Sequence, residues 1–142
     1  MQPFTSNITA PTRLLSIFCG LALATAALAG EPHYGNPVFT ADADSKLAKE
    51  DFATDTPKIY LHVQLEDVAE NTKLSAAWIA EKTDAAPANY KIDSVELTAT
   101  KGMNEATFSL SKPNAGWPAG DYRVDLSING KLATSGNFTI SK

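Results

Sequence analysis

Cysteine is almost missing from this 142-residue chain, and the single one, Cys19, lies within the first thirty residues. Beyond that point no disulfide can form and no thiolate can ligate a metal, so the fold must hold by packing alone. Histidine is scarce too: His33 and His62 are the whole supply. A zinc or copper site commonly draws on several His or Cys at roughly 2.0–2.3 Å, and no spacing here gathers them. Basic clusters are lacking as well, because the 12 lysines and arginines are scattered singly in a chain of net charge −4. Such a surface offers nucleic acid or an anionic membrane no patch to grip. There is no glycine loop of the phosphate-cradling kind and no G-x-S-x-G elbow. Glu66, Asp67 and Glu70 fall in one turn instead of facing each other as a glycosidase pair would. The residues therefore point away from an enzyme, and no cofactor is expected.

What is present begins with a leader. Arg13 precedes an apolar run of 15 residues, Leu14 to Leu28, which ends in Ala27-Leu28-Ala29. A positive residue, a short apolar core and a small-x-small site read as a secretory signal peptide cleaved after Ala29. The run is shorter than the roughly twenty residues a bilayer span needs, so no membrane span is expected after cleavage. Phe18 precedes Cys19 where a lipoprotein signal wants a small residue, so lipidation is not expected. Loss of Arg13 takes the net charge from −4 to −5. The processed chain belongs in the periplasm or outside the cell. The expected organisation is 1–29 signal peptide, 30–57 an N-terminal extension, and 58–142 a β-sandwich core.

The extension reads as mostly irregular, with Pro32, Gly35 and Pro37 near its start, an edge strand at Val38-Phe39, a loop from Asp44 to Glu50 and Phe52 as a second anchor. From Lys58 the pattern changes. Ile59, Leu61, Val63 and Leu65 alternate with Tyr60, His62, Gln64 and Glu66, as an antiparallel sheet with one dry face requires. Leu74 to Lys82 alternates similarly. Helix competes there because the segment is rich in alanine, but its neighbours favour a strand entered by a hairpin at Asn71-Thr72. Tyr90 to Thr100 changes parity between Ile92 and Val95, which predicts a bulge near Asp93-Ser94. The run from Ala106 to Ile140 gives three more strands. Asn129-Gly130 in its midst is the preferred pair for a type I′ turn, where both residues need φ > 0. Six strands, or seven with Val38-Phe39, separated by turn residues indicate an all-β, antiparallel two-sheet sandwich.

Within that run, Leu110-x-x-Pro113 followed by Pro118-Ala119-Gly120-Asp121-Tyr122-Arg123-Val124-Asp125-Leu126 resembles the crossing from strand E to strand F of immunoglobulin-like and fibronectin type III domains. The run as a whole also resembles the last strands of many small secreted bacterial domains. The resemblance implies that Tyr122 is a tyrosine corner, ring buried and hydroxyl bonded to upstream backbone, and that Trp78 is the core tryptophan. The chain departs from antibody-type domains in lacking both core cysteines. The likeness speaks of fold, and fold does not carry function.

Candidate binding residues are few. Trp117 stands in a loop between prolines and glycines, where it either anchors a partner or sugar or folds down to cap the sandwich. Tyr60 and Tyr90, read as lying on or near outer faces, extend such a surface. His62 points to the outer face, and Asp42 and Asp44 offer calcium-type oxygen ligands without the calcium-loop spacing. His33 reads as a disordered tail residue: an amino-terminal copper site is spoiled by Pro32, which has no N–H to give. The leading expectation is a non-catalytic binding or accessory domain engaging another envelope or extracellular protein. A carbohydrate-binding or surface-attachment module using Trp117 is one alternative. A periplasmic metal-binding protein using His33, His62, Asp42 and Asp44 is the other.

Overall fold

The computed structural model describes residues 30–142; the expected signal peptide, 1–29, and Cys19 lie outside them. Pro32–Lys142 form one compact unit of nine strands in two sheets. In the smaller sheet, β4 (Lys58–Glu66) is central. On one side of it lie β1 (His33–Tyr34) and β2 (Val38–Thr40) in succession, and on the other β7 (Glu105–Ser111), all antiparallel. The larger sheet runs in the order β3 (Asp51–Ala53), β9 (Lys131–Ser141), β8 (Gly120–Ile128), β5 (Lys73–Thr83) and β6 (Tyr90–Thr98).

The alternation in the sequence becomes the two faces of each strand. Ile59, Leu61 and Val63 of β4 and Leu74, Ala76 and Trp78 of β5 are buried, while the residues between them reach the surface in part. Burying such side chains at about 25 cal/mol per Å² is what holds a domain without disulfides. The centre is aromatic: Phe138 lies 5.0 Å from Phe39, 5.1 Å from Tyr122, 5.8 Å from Phe52 and 6.1 Å from Trp78 between ring centroids. Pairs at these distances contribute about 0.5–1.5 kcal/mol each beyond their burial.

Several expectations hold. Asn129 and Gly130 have φ of 49° and 83°, the left-handed pair of a type I′ turn. The bulge sits in β6, where Trp78 pairs with Asp93 and Ile79 with Lys91, leaving Ile92 as the extra residue. By topology β5, β8 and β9 occupy the C, F and G positions of an immunoglobulin sandwich and β4 and β7 the B and E positions. Trp78 is thus on strand C and Tyr122 at the start of F. Val124 takes the place of the second core cysteine, directly paired with Trp78.

Three points differ. The segment 30–57 supplies three short strands where one was expected. Tyr34, Phe39 and Phe52 from these strands all enter the core. The sandwich is not wholly antiparallel: β3 runs parallel to β9, with Asp51 opposite Thr139. Asn71-Thr72 closes no hairpin, because β4 and β5 belong to different sheets. Asn71 instead donates its N–H to the Ala99 carbonyl at 2.8 Å, pinning a crossover to the end of β6.

Candidate functional site: an apolar hollow at one end of the sandwich

Where β5 ends and the loop before β8 passes over the larger sheet, side chains leave a space only partly filled. Pro113 and Pro118 stiffen the loop from Lys112 to Ala119, since each ring fixes its φ. Between them Trp117 turns inward. Its backbone N–H donates to the Thr54 carbonyl at 2.9 Å and its indole Nε1–H to the Thr56 carbonyl at 2.8 Å. The ring meets Tyr122 edge-on at 5.9 Å and is 2% exposed. Trp117 is therefore the plug of this end and not a platform open to solvent. A stacking surface on its indole, expected as one reading of the sequence, is ruled out by the two bonds that hold it down.

Tyr122 has the corner geometry. Its hydroxyl donates to the carbonyl of Pro118 four residues upstream at 2.5 Å, and its ring stacks on Phe138. Burial pushes the phenol up to about 12, since the phenolate would lose its water. Gly120 makes the turn into β8 possible. At φ of +149° it lies so close to β5 that a Cβ would stand 2.1 Å from the Lys82 carbonyl oxygen.

Above this floor the residues are small. Ala80, Ala85 and Ala86, with Ile92 from the β6 bulge, leave a hollow of about 200 Å³ that Trp117 and Tyr122 close from below. Tyr90 forms its rim and is 52% exposed. The bulge decides this placement. Counting Ile92 as extra sets Tyr90 opposite buried Ala80, on the inner face instead of the outer one expected. The hollow thus unites two of the three binding candidates, Trp117 and Tyr90, with Ile92, Pro113 and Pro118 as walls that sequence reasoning did not single out. The Thr83 hydroxyl, buried at its edge, has no hydrogen-bond partner among the described residues.

Tyr60 lies elsewhere, on the outer face of the smaller sheet, stacked 6.4 Å from His62 with the Lys58 ammonium 5.9 Å over its ring. His62 bridges three strands. Thr40 donates its hydroxyl to the Asp42 carbonyl at 2.6 Å, so it accepts from His62 Nε2–H at 3.1 Å. Nδ1 lies 3.0 Å from the Thr107 hydroxyl, within hydrogen-bond distance. Both ring nitrogens are thereby engaged in holding β2 and β7 to β4. Asp44 borders the same hollow of about 460 Å³ as His62, whereas Asp42 contributes its backbone carbonyl to Thr40. His33 is no tail residue: on β1 its Nε2 lies 2.8 Å from the Glu66 carboxylate, an exposed pair beside β4. Among the described residues no three His, Cys, Asp or Glu side chains converge as a metal site would require.

No family model matches the chain, and no curated protein matches it in sequence. Solved structures do. An immunoglobulin-like protein from Pseudomonas aeruginosa aligns over 79% of this chain and 93% of its own at 17% identity, with a TM-score of 0.50. An alkylpurine DNA glycosylase from Pseudomonas fluorescens, bound to DNA containing an abasic-site analogue, aligns over 84% of this chain at 15% identity and a TM-score of 0.50. Only 33% of the glycosylase is covered. At such identities the likeness establishes fold alone: the chain is an all-β, immunoglobulin-like sandwich.

Proposed function

We propose that this is a non-catalytic recognition domain of the cell envelope or extracellular space that engages a partner protein through the hollow rimmed by Tyr90. The observation that carries the reading is the hollow itself, an apolar recess beside a half-exposed tyrosine. Its side-chain polar groups are one threonine hydroxyl, the hydroxyls of two tyrosines and the Trp117 indole N–H, of which Tyr122 is committed to Pro118 and Trp117 to Thr56. Such a lining supplies neither a nucleophile with a base nor a carboxylate pair, and it suits an apolar side chain. Pockets for whole small molecules run to roughly 300–1,000 Å³, and at about 200 Å³ this one fits a single inserted residue such as Leu, Pro or Phe. Tyrosine at the rim and an aromatic floor are what interface anchors use.

The test is a crosslinked pull-down from envelope extract with the protein carrying a photoreactive group beside Tyr90. A saturable partner should be captured by the wild type and lost in Tyr90→Ser and Ala86→Glu, which empty the rim and charge the recess. Circular dichroism would check that both stay folded. Capture that is absent, or unchanged in both variants, defeats the proposal. Glycan-array binding that Tyr90→Ser abolishes would instead make the partner a sugar.

A further inference from the structure

β6 is the last strand of the larger sheet, and its outer edge has no strand beside it among the described residues. The direction of its free groups follows from its end. Ala99 donates its N–H to the Thr72 carbonyl at 2.8 Å and accepts from Asn71 N–H at 2.8 Å, so both its backbone groups face β5. Alternation along the strand turns Leu97 and Val95 the same way and sends the N–H and C=O of Ser94 and Glu96 outward. Its side chains divide between the faces. Val95, Leu97 and Tyr90 oppose the buried residues Ala76, Leu74 and Ala80, so they belong to the inner face. Glu96 opposes Ser75 and Lys91 opposes Ile79 on the outer face.

We infer that a second copy of this chain adds antiparallel to the free edge of β6, with Ser94 opposite Ser94 of the second copy on a two-fold axis. The strand is self-complementary in that register, and the bulge makes it so. Toward β5, Ile92 and Asp93 together take up the place of one residue opposite Trp78. The same count toward the second copy sets Val95 against the Ile92-Asp93 bulge, Glu96 against Lys91 and Leu97 against Tyr90. Apolar residues then meet on the inner face and opposite charges on the outer face, each pair occurring twice by symmetry. Without the extra residue, an even register about Ser94 would put Lys91 opposite Leu97 and Ile92 opposite Glu96. Glu96 already lies 3.4 Å from Lys73 of its own chain, so pairing places it between two lysines.

One group opposes the pairing. The Asp93 carboxylate accepts from the N–H of Ser94 at 2.8 Å, occupying a donor the second copy needs, and two Asp93 carboxylates would flank the axis. Carboxylates and bulges of this kind restrain free sheet edges. The dimer is accordingly weak and reversible, and Asp93 sets its strength.

The experiment is sedimentation velocity over a concentration series up to millimolar, on the protein as purified from its host. Lys91→Glu and Glu96→Lys each bring like charges together twice and should weaken association roughly tenfold or more. The two variants mixed in equal amounts should form a heterodimer, because every cross-strand pair is then complementary. The double variant K91E/E96K should dimerise like the wild type, and Asp93→Ala should dimerise more tightly. A chain that stays monomeric even as Asp93→Ala overturns the inference, as does a dimer indifferent to Lys91→Glu or a mixture that fails to pair. Tyr90 meets Leu97 across this pairing, so the two proposals are separated with Lys91→Glu and Glu96→Lys, whose side chains lie on the outer face and leave the hollow unchanged.

Discussion

Replacing Trp117 separates a structural plug from a surface ligand, and the structure gives the size of the effect. The indole is 2% exposed, bonds the Thr56 carbonyl at 2.8 Å and packs against Tyr122 at 5.9 Å. Truncating a buried tryptophan to alanine costs about 3–5 kcal/mol, because the surroundings close only in part over the gap. Trp117→Phe keeps most of the ring contact but leaves the Thr56 carbonyl without its donor, a loss of about 1–2 kcal/mol. In a domain of this length about 1 kcal/mol moves Tm by about 4 °C. Falls of about 4–8 °C for Phe and about 12–20 °C for Ala follow. Against a total stability of about 5–15 kcal/mol the alanine variant is expected to be folded but marginal. Urea denaturation followed by the fluorescence of Trp78, which both variants retain, measures the difference directly. A loss below about 1 kcal/mol in Trp117→Ala would refute the plug and return the indole to the surface.

Two further outcomes concern the same end of the molecule. Gly120→Ala should cost about 3 kcal/mol or more, since its Cβ would meet the Lys82 carbonyl at 2.1 Å on a backbone of positive φ. Thermal melting of that variant tests the close approach, and an unchanged Tm would refute it. Stability should also fall in alkali. Burial holds the Tyr34 and Tyr122 phenols up at about 12, whereas an unfolded tyrosine ionises near 10. Their contribution is complete below about pH 10 and lost as pH rises toward about 12. Tyr122→Phe should cost about 1 kcal/mol at neutral pH and remove its share of that alkaline loss, read as the urea midpoint from pH 8 to 12.

Much of the fold can be read from local signals. Alternation in β4, the Asn129-Gly130 turn and the Pro-x-Gly-x-Tyr corner each lie within ten residues of sequence and specify their own geometry. β1 and β3 are illegible for the opposite reason. Two or three residues cannot show a period, and Phe52 is a strand residue only because β9 lies beside it, nearly ninety positions later. The site divides the same way. Trp117 was visible as a residue needing a role, yet its depth is fixed by carbonyls of Thr54 and Thr56, some sixty positions away. The face of Tyr90 depends on which residue of β6 is counted as the extra one, a choice that β5 makes through its register.

The parallel pairing of β3 with β9 also bears on how the chain reaches this state. Asp51 accepts from the hydroxyls of Thr139 and Ser141 at 2.7 Å and 2.6 Å, so the first part of the domain is fastened by its last residues. Closing a loop of that length is entropically costly before any contact rewards it, and sheets built on such distant pairings fold in milliseconds to seconds. A chain made from its N-terminus onward holds Phe52 without its neighbours until the final strand has been synthesised. Completion of this sandwich thereby waits on synthesis of β9, and a product truncated before Thr139 would be left with an open seam where quality-control proteases can enter.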